Sequence, residues 1–414
     1  MRKDQISWIL YDWANSAYSI AIITAILPIF YKDVAAHHLS GNQATAYWGY
    51  ANTLSTLLLA LFAPFLGSLG DYGARKKTYL GLFLGLGLIF TALLFFVEPG
   101  GYFLCLIIYL LSFIGFAGAN IFYDSLLVDV ALPKQRDTLS SQGYAWGYLG
   151  STIPFLGAIL LIQNPLWLGL TDSVMATRLS FVLIALWWGI FSLPLFFSVK
   201  QKYFHPHRHN FRQSFQNLAK TLREIKNHKP LRYFLLAYFF YIDGVDTIVK
   251  MGAIYGKDLG LGTKDLLIIL FVVQLVAFPF ALLFGLFAKR FETRTLLKAG
   301  VLIYIGITVF AFFMRTTTDY WILAMLVASS MGGIQALSRS LFSKLIPPEK
   351  AGEYFGVYNI CGKFAAILGP LLMGGLSHMT GNSRIGILSL IALFAVSLWF
   401  LSRMGKSQKG ELYG

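Results

Sequence analysis

Twelve long apolar stretches constrain this chain of 414 residues more than any other feature of its sequence. A helix needs about 20 mostly apolar residues to cross a bilayer, and the stretches have about that length. Only 13% of the residues are charged, whereas soluble domains carry about 25%. Uninterrupted apolar runs also exclude the alternating strands of a membrane β-barrel. The sequence therefore predicts an all-α integral membrane protein with 12 transmembrane helices.

A polar stretch at 200–230 divides these segments six and six. This division predicts an N-terminal six-helix bundle over 1–199, a linker over 200–230, and a C-terminal six-helix bundle with a short tail over 231–414. Within the linker, 211–226 has the spacing of an amphipathic helix lying on the membrane surface. The predicted transmembrane segments are 6–31, 47–69, 78–97, 102–130, 141–162, 178–199, 231–255, 265–287, 296–314, 320–345, 353–377 and 385–403.

Most lysines and arginines fall in the loops that share one side of the membrane with both termini. Positive charges mark the cytoplasmic side, so both termini are expected in the cytoplasm. This bias also accounts for the net charge of +15 without a nucleic-acid partner. The two cysteines and seven histidines show no metal-ligand spacing. We therefore predict neither a metal nor a cofactor.

The two predicted bundles repeat one another in sequence. At an offset of 215 residues, Asp124 of the fourth segment aligns with Arg339 of the tenth. At an offset of 231, Asp12 of the first segment aligns with Asp243 of the seventh. Ionisable positions inside apolar segments are rare, so these matches indicate a duplication. A duplication of this kind predicts two parallel halves related by an axis along the membrane normal.

Polar side chains interrupt some of the apolar segments at helical spacing. A charge inside the bilayer costs at least a few kcal/mol and usually faces a water-filled path or a partner. Residues three, four and seven apart share one face of a helix. We therefore expect a substrate or proton site among these residues. They are Asp12, Asn15 and Ser19 in the first segment, Asn120 and Asp124 in the fourth, Asp243, Asp246 and Lys250 in the seventh, and Gln335 and Arg339 in the tenth.

Each of these charged residues can have one of two roles. It can form a permanent ion pair between helices, or it can bind the substrate or a proton. Asp12 and Asp243 have no basic residue one turn away in sequence, which favours them as proton or amine ligands facing a cavity. Asp124 and Arg339 lie at matching depths in opposite halves, which favours a pair or gate across the cavity. In the seventh segment, Asp246 and Lys250 are four residues apart and can pair with each other.

Two short stretches resemble a known family. The sequence GDYGARKK at 70–77 resembles the signature loop between the second and third helices of the major facilitator superfamily. The sequence YDWANSAYS at 11–19 resembles the branch formed by the fungal autophagy-related vacuolar amino-acid effluxer and its bacterial permease relatives. The resemblance implies a central cavity lined by the first, fourth, seventh and tenth helices, an amino-acid-like substrate, and a monomer in the bacterial inner membrane.

In that superfamily the signature loop is tied to the end of the fourth helix by a salt bridge. The matching residues here are Arg75 and Asp129, and Asp71 is the acid of the loop. In the second half the signs are reversed, so Glu292 is expected to face Lys344. We expect these five residues to act as conformational latches.

The leading hypothesis is a secondary transporter that works by alternating access and is coupled to protons. The alternative is a non-transporting receptor or a lipid-handling protein on the same fold. The sequence contains no G-x-x-x-x-G-K-[ST] loop for ATP. It contains neither H-E-x-x-H nor G-x-S-x-G, so an intramembrane enzyme is not predicted. The expected partners are a small-molecule substrate, H⁺ and membrane lipid.

Overall fold

A computed structural model describes residues 1–170, 172–206, 211–258, 261–365, 367–380 and 383–405. The side chains at 168, 211–218, 250–258, 263–264 and 383 lie outside that description. Helices are the regular elements of the described residues, beside one isolated bridge between Tyr72 and His205. The predicted all-α fold is confirmed.

In the residues that the structure describes, twelve long helices, α1 to α12, form the two bundles, and a linker helix (Phe211–Asn227) lies between them in sequence. Judged on their described residues, eleven of the twelve are long and apolar enough to cross a membrane. The remaining one, α7, has 30 residues and carries three of the predicted polar positions. The bounds are Lys3–Ala35 (α1), Gly41–Asp71 (α2), Lys76–Phe96 (α3), Tyr102–Val130 (α4), Arg136–Gln163 (α5), Ser173–Ser198 (α6), Lys229–Asp258 (α7), Thr263–Phe287 (α8), Thr293–Phe313 (α9), Thr317–Leu345 (α10), Ala351–Ala365 with Leu368–Thr380 (α11), and Ser383–Leu388 with Leu390–Arg403 (α12).

Each bundle has its own apolar core. The core of the first bundle includes Trp8 and Trp188, and the core of the second includes Tyr241 and Phe342, all of them fully buried. A small third cluster of mostly alanine side chains joins the bundles where α5, α8 and α10 meet. Small residues let membrane helices approach closely, so this cluster brings the two halves into contact.

Two helices are interrupted beside predicted polar residues. Helix α1 contains two π-helical segments, Ser19–Ala25 and Tyr31–Ala35. Helix α11 is broken between Ala365 and Leu368, next to Asp243 of α7. Single-turn π insertions in helices are often found at functional sites, and broken membrane helices are tolerated where they are buried in protein or line a cavity.

The bundles are in contact at the linker end, which we define as the end that carries the linker helix and the loop 70–77. There the backbones of α2 and α11 touch, since a Cβ on Gly67 would lie 2.0 Å from the carbonyl oxygen of Gly352. At the opposite end, α2 and α11 expose apolar side chains instead. Tyr50 is 68% exposed and Leu371 is 65% exposed.

Candidate functional site

Arg339 of α10 lies between the two bundles and is held by the first bundle. Its Nη2 donates to Asp12 Oδ2 at 2.9 Å, and its Nη1 donates to Asp124 Oδ1 at 3.1 Å. Its Nε donates to Ser140 Oγ at 2.9 Å. The side chain is only 2% exposed. We call Asp12, Asp124 and Arg339 the ion triad, and it carries a net charge of −1 when all three are ionised.

Three aromatic rings surround the guanidinium of the ion triad. The Arg339 Cζ lies 4.4 Å from the ring centroid of Tyr144, 4.6 Å from Trp8 and 5.5 Å from Tyr123. A guanidinium over an aromatic face is stabilised electrostatically, more strongly when water is excluded. The rings therefore hold Arg339 between the carboxylates and seal it from solvent.

Glycine on α5 makes room for the ion triad. A Cβ on Gly143 would lie 2.3 Å from Asp12 Oδ2 and 2.9 Å from Arg339 Nη2. Gly147 and Gly150 continue the same face of α5 against α1. Sequence reasoning missed α5 entirely as part of the site, although this glycine spacing is a signal of close helix packing.

The environment of Asp12 differs from the sequence expectation. We expected this carboxylate to point into a water-accessible chamber, but its side chain is only 9% exposed. The reason is the cation that the opposite bundle supplies, since Arg339 fills the space that water would occupy. The structure does bring Asp124 and Arg339 together, at the depth where the repeat aligns them.

The other polar residues of α1, α4 and α10 lie further from the linker end. Asn15 Nδ2 donates to Asn120 Oδ1 at 2.7 Å, which joins α1 to α4. Ser19 is half-buried at the start of the first π segment. Gln335 is half-buried and accepts from the Tyr148 hydroxyl at 3.5 Å. Tyr148 was not among the residues predicted from the sequence. These residues form a polar strip that leads away from the ion triad.

The polar residues of α7 lie in a different environment. Asp243 is fully buried, and its Oδ2 accepts from the backbone N–H of Gly369 at 2.8 Å. It therefore faces the break in α11 and not an open chamber. Asp246 is half-buried, while the side chain of Lys250 lies outside the described residues. The pair between Asp246 and Lys250 stays a prediction.

The first predicted latch is present with a different cation. Lys76 Nζ lies 3.2 Å from Asp129 Oδ2 and 3.5 Å from Asp71 Oδ1, and the lysine is fully buried. Arg75, the expected partner of Asp129, is exposed. The reason is the turn at Gly73, where φ is +65°, because it places Arg75 just before α3 and Lys76 in its first turn.

Asp71 also reaches across to the other bundle. Its two oxygens accept from the backbone N–H groups of Gly352 and Glu353, both at 2.9 Å. These groups lie in the first turn of α11, where a carboxylate is stabilised by the helix dipole. Asp71 thus connects the loop 70–77 to the second bundle.

The prediction for the second latch named the wrong partner for Lys344. Lys344 Nζ forms an ion pair with Asp137 Oδ2 of α5, and it donates to Thr293 Oγ1 at 3.1 Å. Glu292 is exposed. Asp137 also accepts from the Ser340 hydroxyl, so it is satisfied by three groups of the second bundle. The latch therefore joins the two bundles, whereas we expected it inside one of them.

The charged contacts between the bundles are concentrated toward the linker end. The ion triad lies deepest, and the contacts of Asp137, Asp71 and Arg136 lie nearer the surface, where Arg136 Nη1 donates to the carbonyl of Ser343 at 2.6 Å. No group of three or more metal-ligating side chains occurs in the part of the chain that the structure describes. Chemically, the described groups at this end are carboxylates, cations and hydroxyls that form ion pairs and hydrogen bonds between the bundles.

Known proteins resemble this chain over nearly all of its length. The family described as "Vacuole effluxer Atg22 like" matches residues 1–135 and 129–411. The MFS-type transporter YxiO of Bacillus subtilis (strain 168) is 48% identical over 404 residues, which cover 97% of this chain and 94% of that protein. Autophagy-related protein 22 of Eremothecium gossypii is 25% identical, covering 100% of this chain and 93% of the relative.

A solved structure shares the fold. The human organic anion transporter MFSD10 superposes with a TM-score of 0.73 at 16% sequence identity. The similarity covers 97% of this chain and 99% of the human chain. At this identity the likeness concerns the arrangement of the helices and not the solute.

Proposed function

The chain belongs to the Atg22-like family of major facilitator superfamily transporters, and on that premise we propose that it moves a small organic solute by alternating access, coupled to protons. It is a multi-pass membrane protein whose relatives are transporters. The proposed location is the bacterial inner membrane. Both termini are assigned to the cytoplasm because the loops rich in lysine and arginine lie at the linker end.

The observation that carries the proposal is the ion triad between the bundles. Arg339 belongs to the second bundle, and both of its carboxylate partners, Asp12 and Asp124, belong to the first. Breaking a buried ion pair by removing one partner costs about 3–5 kcal/mol. The bundles therefore separate here only when another group takes over the charges. A transporter that loads a proton or a charged solute has such a group.

A proton is the simplest replacement for Arg339. Two carboxylates share one guanidinium, and protonation of Asp12 or Asp124 removes one of the negative charges that hold it. Charge-assisted hydrogen bonds are about twice as strong as neutral ones, so a protonated carboxylate holds Arg339 more weakly. Uptake of the proton thus favours separation of the bundles at the linker end.

The conformation seen here is closed at the linker end. The ion pair of Asp137 with Lys344 and the contacts of Asp71 with α11 lie between the triad and that surface. With the termini in the cytoplasm, solute enters this conformation from the opposite, outer end. The polar strip above the triad, including Asn15 and Asn120, then lies on the path of the solute.

The proposed solute is an amino acid or a similar small organic molecule. The ion triad has an excess of one carboxylate, which suits an amino group. The amides of Asn15 and Asn120 can donate and accept hydrogen bonds at one site, which suits a zwitterion. The family description names an effluxer, so the proposed solute class depends on these side chains.

Counterflow in proteoliposomes tests this function. Purified protein is reconstituted with unlabelled neutral amino acids inside, and entry of labelled leucine is measured at pH 6 and pH 8, with and without a pH gradient. We expect exchange in the native protein. Asp12→Asn and Asp124→Asn are expected to abolish the response to the pH gradient. Glu98→Gln, at an exposed acid, is the matched control.

Each outcome decides part of the proposal. Flux that ignores the gradient and survives both substitutions would remove proton coupling. If another organic solute is exchanged and none of the tested amino acids is, the proposed solute class is wrong. Absence of exchange for all solutes would favour a receptor or a lipid-handling protein.

A further inference from the structure

Helix α11 is interrupted inside the membrane. Its first part ends at Ala365, and its second part runs over 13 residues from Leu368 to Thr380. Pro370 is the third residue of the second part, where a missing N–H is tolerated because the first turn of a helix has no intrahelical acceptors for those groups. The second part therefore begins with its own N-terminus, at which Gly369 is buried against α7.

A carboxylate of another helix occupies that N-terminus. Asp243 of α7 is 0% exposed, and its Oδ2 accepts from the N–H of Gly369 at 2.8 Å. A Cβ on Gly369 would lie 2.1 Å from Thr247 Oγ1 and 3.0 Å from Asp243 Oδ1. Glycine is needed here because α7 and the start of the second part of α11 are in direct contact. An ionised carboxylate at a helix N-terminus is a stabilising cap.

A second polar group is directed at the same place. Thr247, one turn after Asp243 on α7, is 1% exposed, and its hydroxyl has no hydrogen-bond partner among the described residues. A buried polar group without a partner costs about 1–3 kcal/mol. A protonated Asp243 would carry an O–H that this hydroxyl can accept. The pocket thus offers a bond to each form of the acid, to the backbone N–H when ionised and to Thr247 when protonated.

We propose that Asp243 binds a proton in addition to the one taken up at the ion triad, and that this protonation releases the outer part of α11, Leu368–Thr380, from α7. This inference rests on the proposed proton-coupled transport and adds a protonation step in the second bundle. A proton from the outer solution binds one oxygen of the carboxylate and neutralises it. The cap then loses its charge, and the hydrogen bond to Gly369 becomes a weaker neutral one. The new O–H of Asp243 can in turn be donated to the Thr247 hydroxyl.

The exposed apolar side chains at the outer end give the released segment a place to move. Leu371 and Met379 of α11 are 65% and 82% exposed, and Tyr50 and Leu54 of α2 are 68% and 48% exposed. Closing the outer mouth would bring these two faces together. Protonation of Asp243 would therefore favour closure at the outer end.

Other ionisable groups lie on the helices packed against α7. The intramembrane spans of α8 (266–287) and α12 (385–402) contain none. Gly244, next to Asp243, is covered by Phe394 of α12. The groups on the remaining helices that can influence the charge of Asp243 are Tyr238, Tyr241, Asp246 and Lys250 on α7 itself, with the side chain of Lys250 outside the described residues, Tyr358 and Lys363 on α11, Tyr304 on α9, and Arg339 on α10.

The test measures the distance between α2 and α11 at the outer end as a function of pH. Spin labels are attached at Tyr50→Cys and Leu371→Cys in a background with Cys105→Ala and Cys361→Ala. Pulsed electron paramagnetic resonance spectroscopy in nanodiscs then reports the distance between α2 and α11. In the native protein we expect the ratio of short to long distances to rise by roughly tenfold or more between pH 8 and pH 5. In Asp243→Asn we expect the low-pH distribution at every pH.

Two further variants keep the test decisive if Asp243→Asn does not fold. Thr247→Val removes the acceptor for the protonated acid, so the midpoint of the distance change should move to lower pH. Gly369→Ala pushes the carboxylate out of the break and should give the low-pH distribution at all pH values. Gly374→Ala, where a Cβ meets nothing within 4 Å, is its matched control and should behave as the native protein.

A distance ratio in the native protein that ignores pH would overturn the inference, as would an unchanged pH response in Asp243→Asn. Leucine counterflow in the same samples separates this result from the proposed function. Transport with a pH-insensitive α11 would refute the role of Asp243 alone. A pH-dependent α11 without exchange of any solute would refute transport and leave the switch in place.

Discussion

Asp124 and Arg339 occupy equivalent positions in the two halves and are also bonded to each other. They lie 215 residues apart, which is the offset of the internal repeat, and the distance from Nη1 to Oδ1 is 3.1 Å. Residues that a two-fold axis exchanges can touch only near that axis. A position duplicated in sequence has thus acquired opposite charges in the two copies, and the pair holds the halves together at the centre of the molecule.

Loss of Arg339 is expected to destabilise the protein strongly. Arg339→Gln leaves Asp12 and Asp124 buried without their cation, which should cost about 3–5 kcal/mol and lower the melting temperature in detergent. Arg339→Lys keeps the charge but loses the planar fork, so it should fall in between. Arg315→Gln, at an exposed arginine, is the control. Equal melting temperatures for Arg339→Gln and the control would contradict the buried triad.

Breaking the pair of Asp137 with Lys344 should open the linker end. In a background without Cys105 and Cys361, the alkylation rate of Ser343→Cys, at a fully buried position, should rise roughly tenfold when Asp137→Asn is added, which corresponds to about 1.4 kcal/mol. The exchange of both charges, Asp137→Lys with Lys344→Asp, should restore much of the protection. Alkylation at an unchanged rate would show that this pair does not hold the linker end closed.

The latch at the loop 70–77 should depend on Lys76 and not on Arg75. Lys76→Ala leaves Asp71 and Asp129 buried without a cation, so we expect a loss of about 3 kcal/mol. Arg75→Ala removes an exposed charge and should change the free energy of unfolding by less than about 0.5 kcal/mol. Denaturant titration of the two variants in detergent measures the difference. The reverse order would restore the pairing expected from the family signature.

Glycine at position 143 should be required for the triad. Gly143→Ala places a Cβ 2.3 Å from the carboxylate of Asp12, and overpacking of this kind costs roughly 1–3 kcal/mol. Gly157→Ala lies on the same helix, and its Cβ would meet nothing closer than a Leu183 methyl at 3.7 Å. Thermal unfolding should therefore separate the two variants, and similar melting temperatures would contradict the close contact of α1 with α5.

The linker helix should detach from α11 in acid. Partial burial raises the pKa of Glu224, but hydrogen bonds from Lys350 and Tyr354 outweigh it and hold the pKa below its ordinary value of 4.5. A lowered pKa means that the contact is fully stabilising above pH 4.5 and is lost as the pH falls through the pKa of the docked state. Hydrogen exchange of residues 219–227 should accelerate there, and Lys350→Ala should move that change to higher pH.

One neighbouring group titrates in a different range. Burial lowers the pKa of His228 from 6.5, so its protonation opposes the folded structure at the start of α7 as the pH falls below 6.5. His228→Gln removes that contribution. If acceleration below pH 4.5 disappears in His228→Gln and persists in Glu224→Gln, the contact of Glu224 is not the cause.

The fold could be predicted from the sequence because its cause is local. Each apolar run of about 20 residues must form a helix in lipid, since its backbone groups have no other partners there. Even so, the break in α11 was not predicted. The sequence shows Pro370 and nearby glycines, which membrane helices often tolerate, and it does not show the contact between Asp243 and the start of the second part of α11.

The partners of the site residues could not be predicted in the same way. Asp12 has no basic neighbour in sequence, and its cation comes from a residue 327 positions away. Lys76 replaces Arg75 because the start of α3 shifts the register by one residue, and helix ends are the least predictable part of a sequence. Asp137 lies outside the repeat alignment, so nothing in the sequence pairs it with Lys344.

The linker is fastened at both of its ends. His205 is paired with the loop after α2 through backbone hydrogen bonds to Asp71 and Gly73, and Glu224 is bonded to Lys350 at the start of α11. The first anchor belongs to one bundle and the second to the other. A linker attached to both bundles limits how far they can move apart at that surface. The length of the linker, and not only its composition, is therefore under physical constraint.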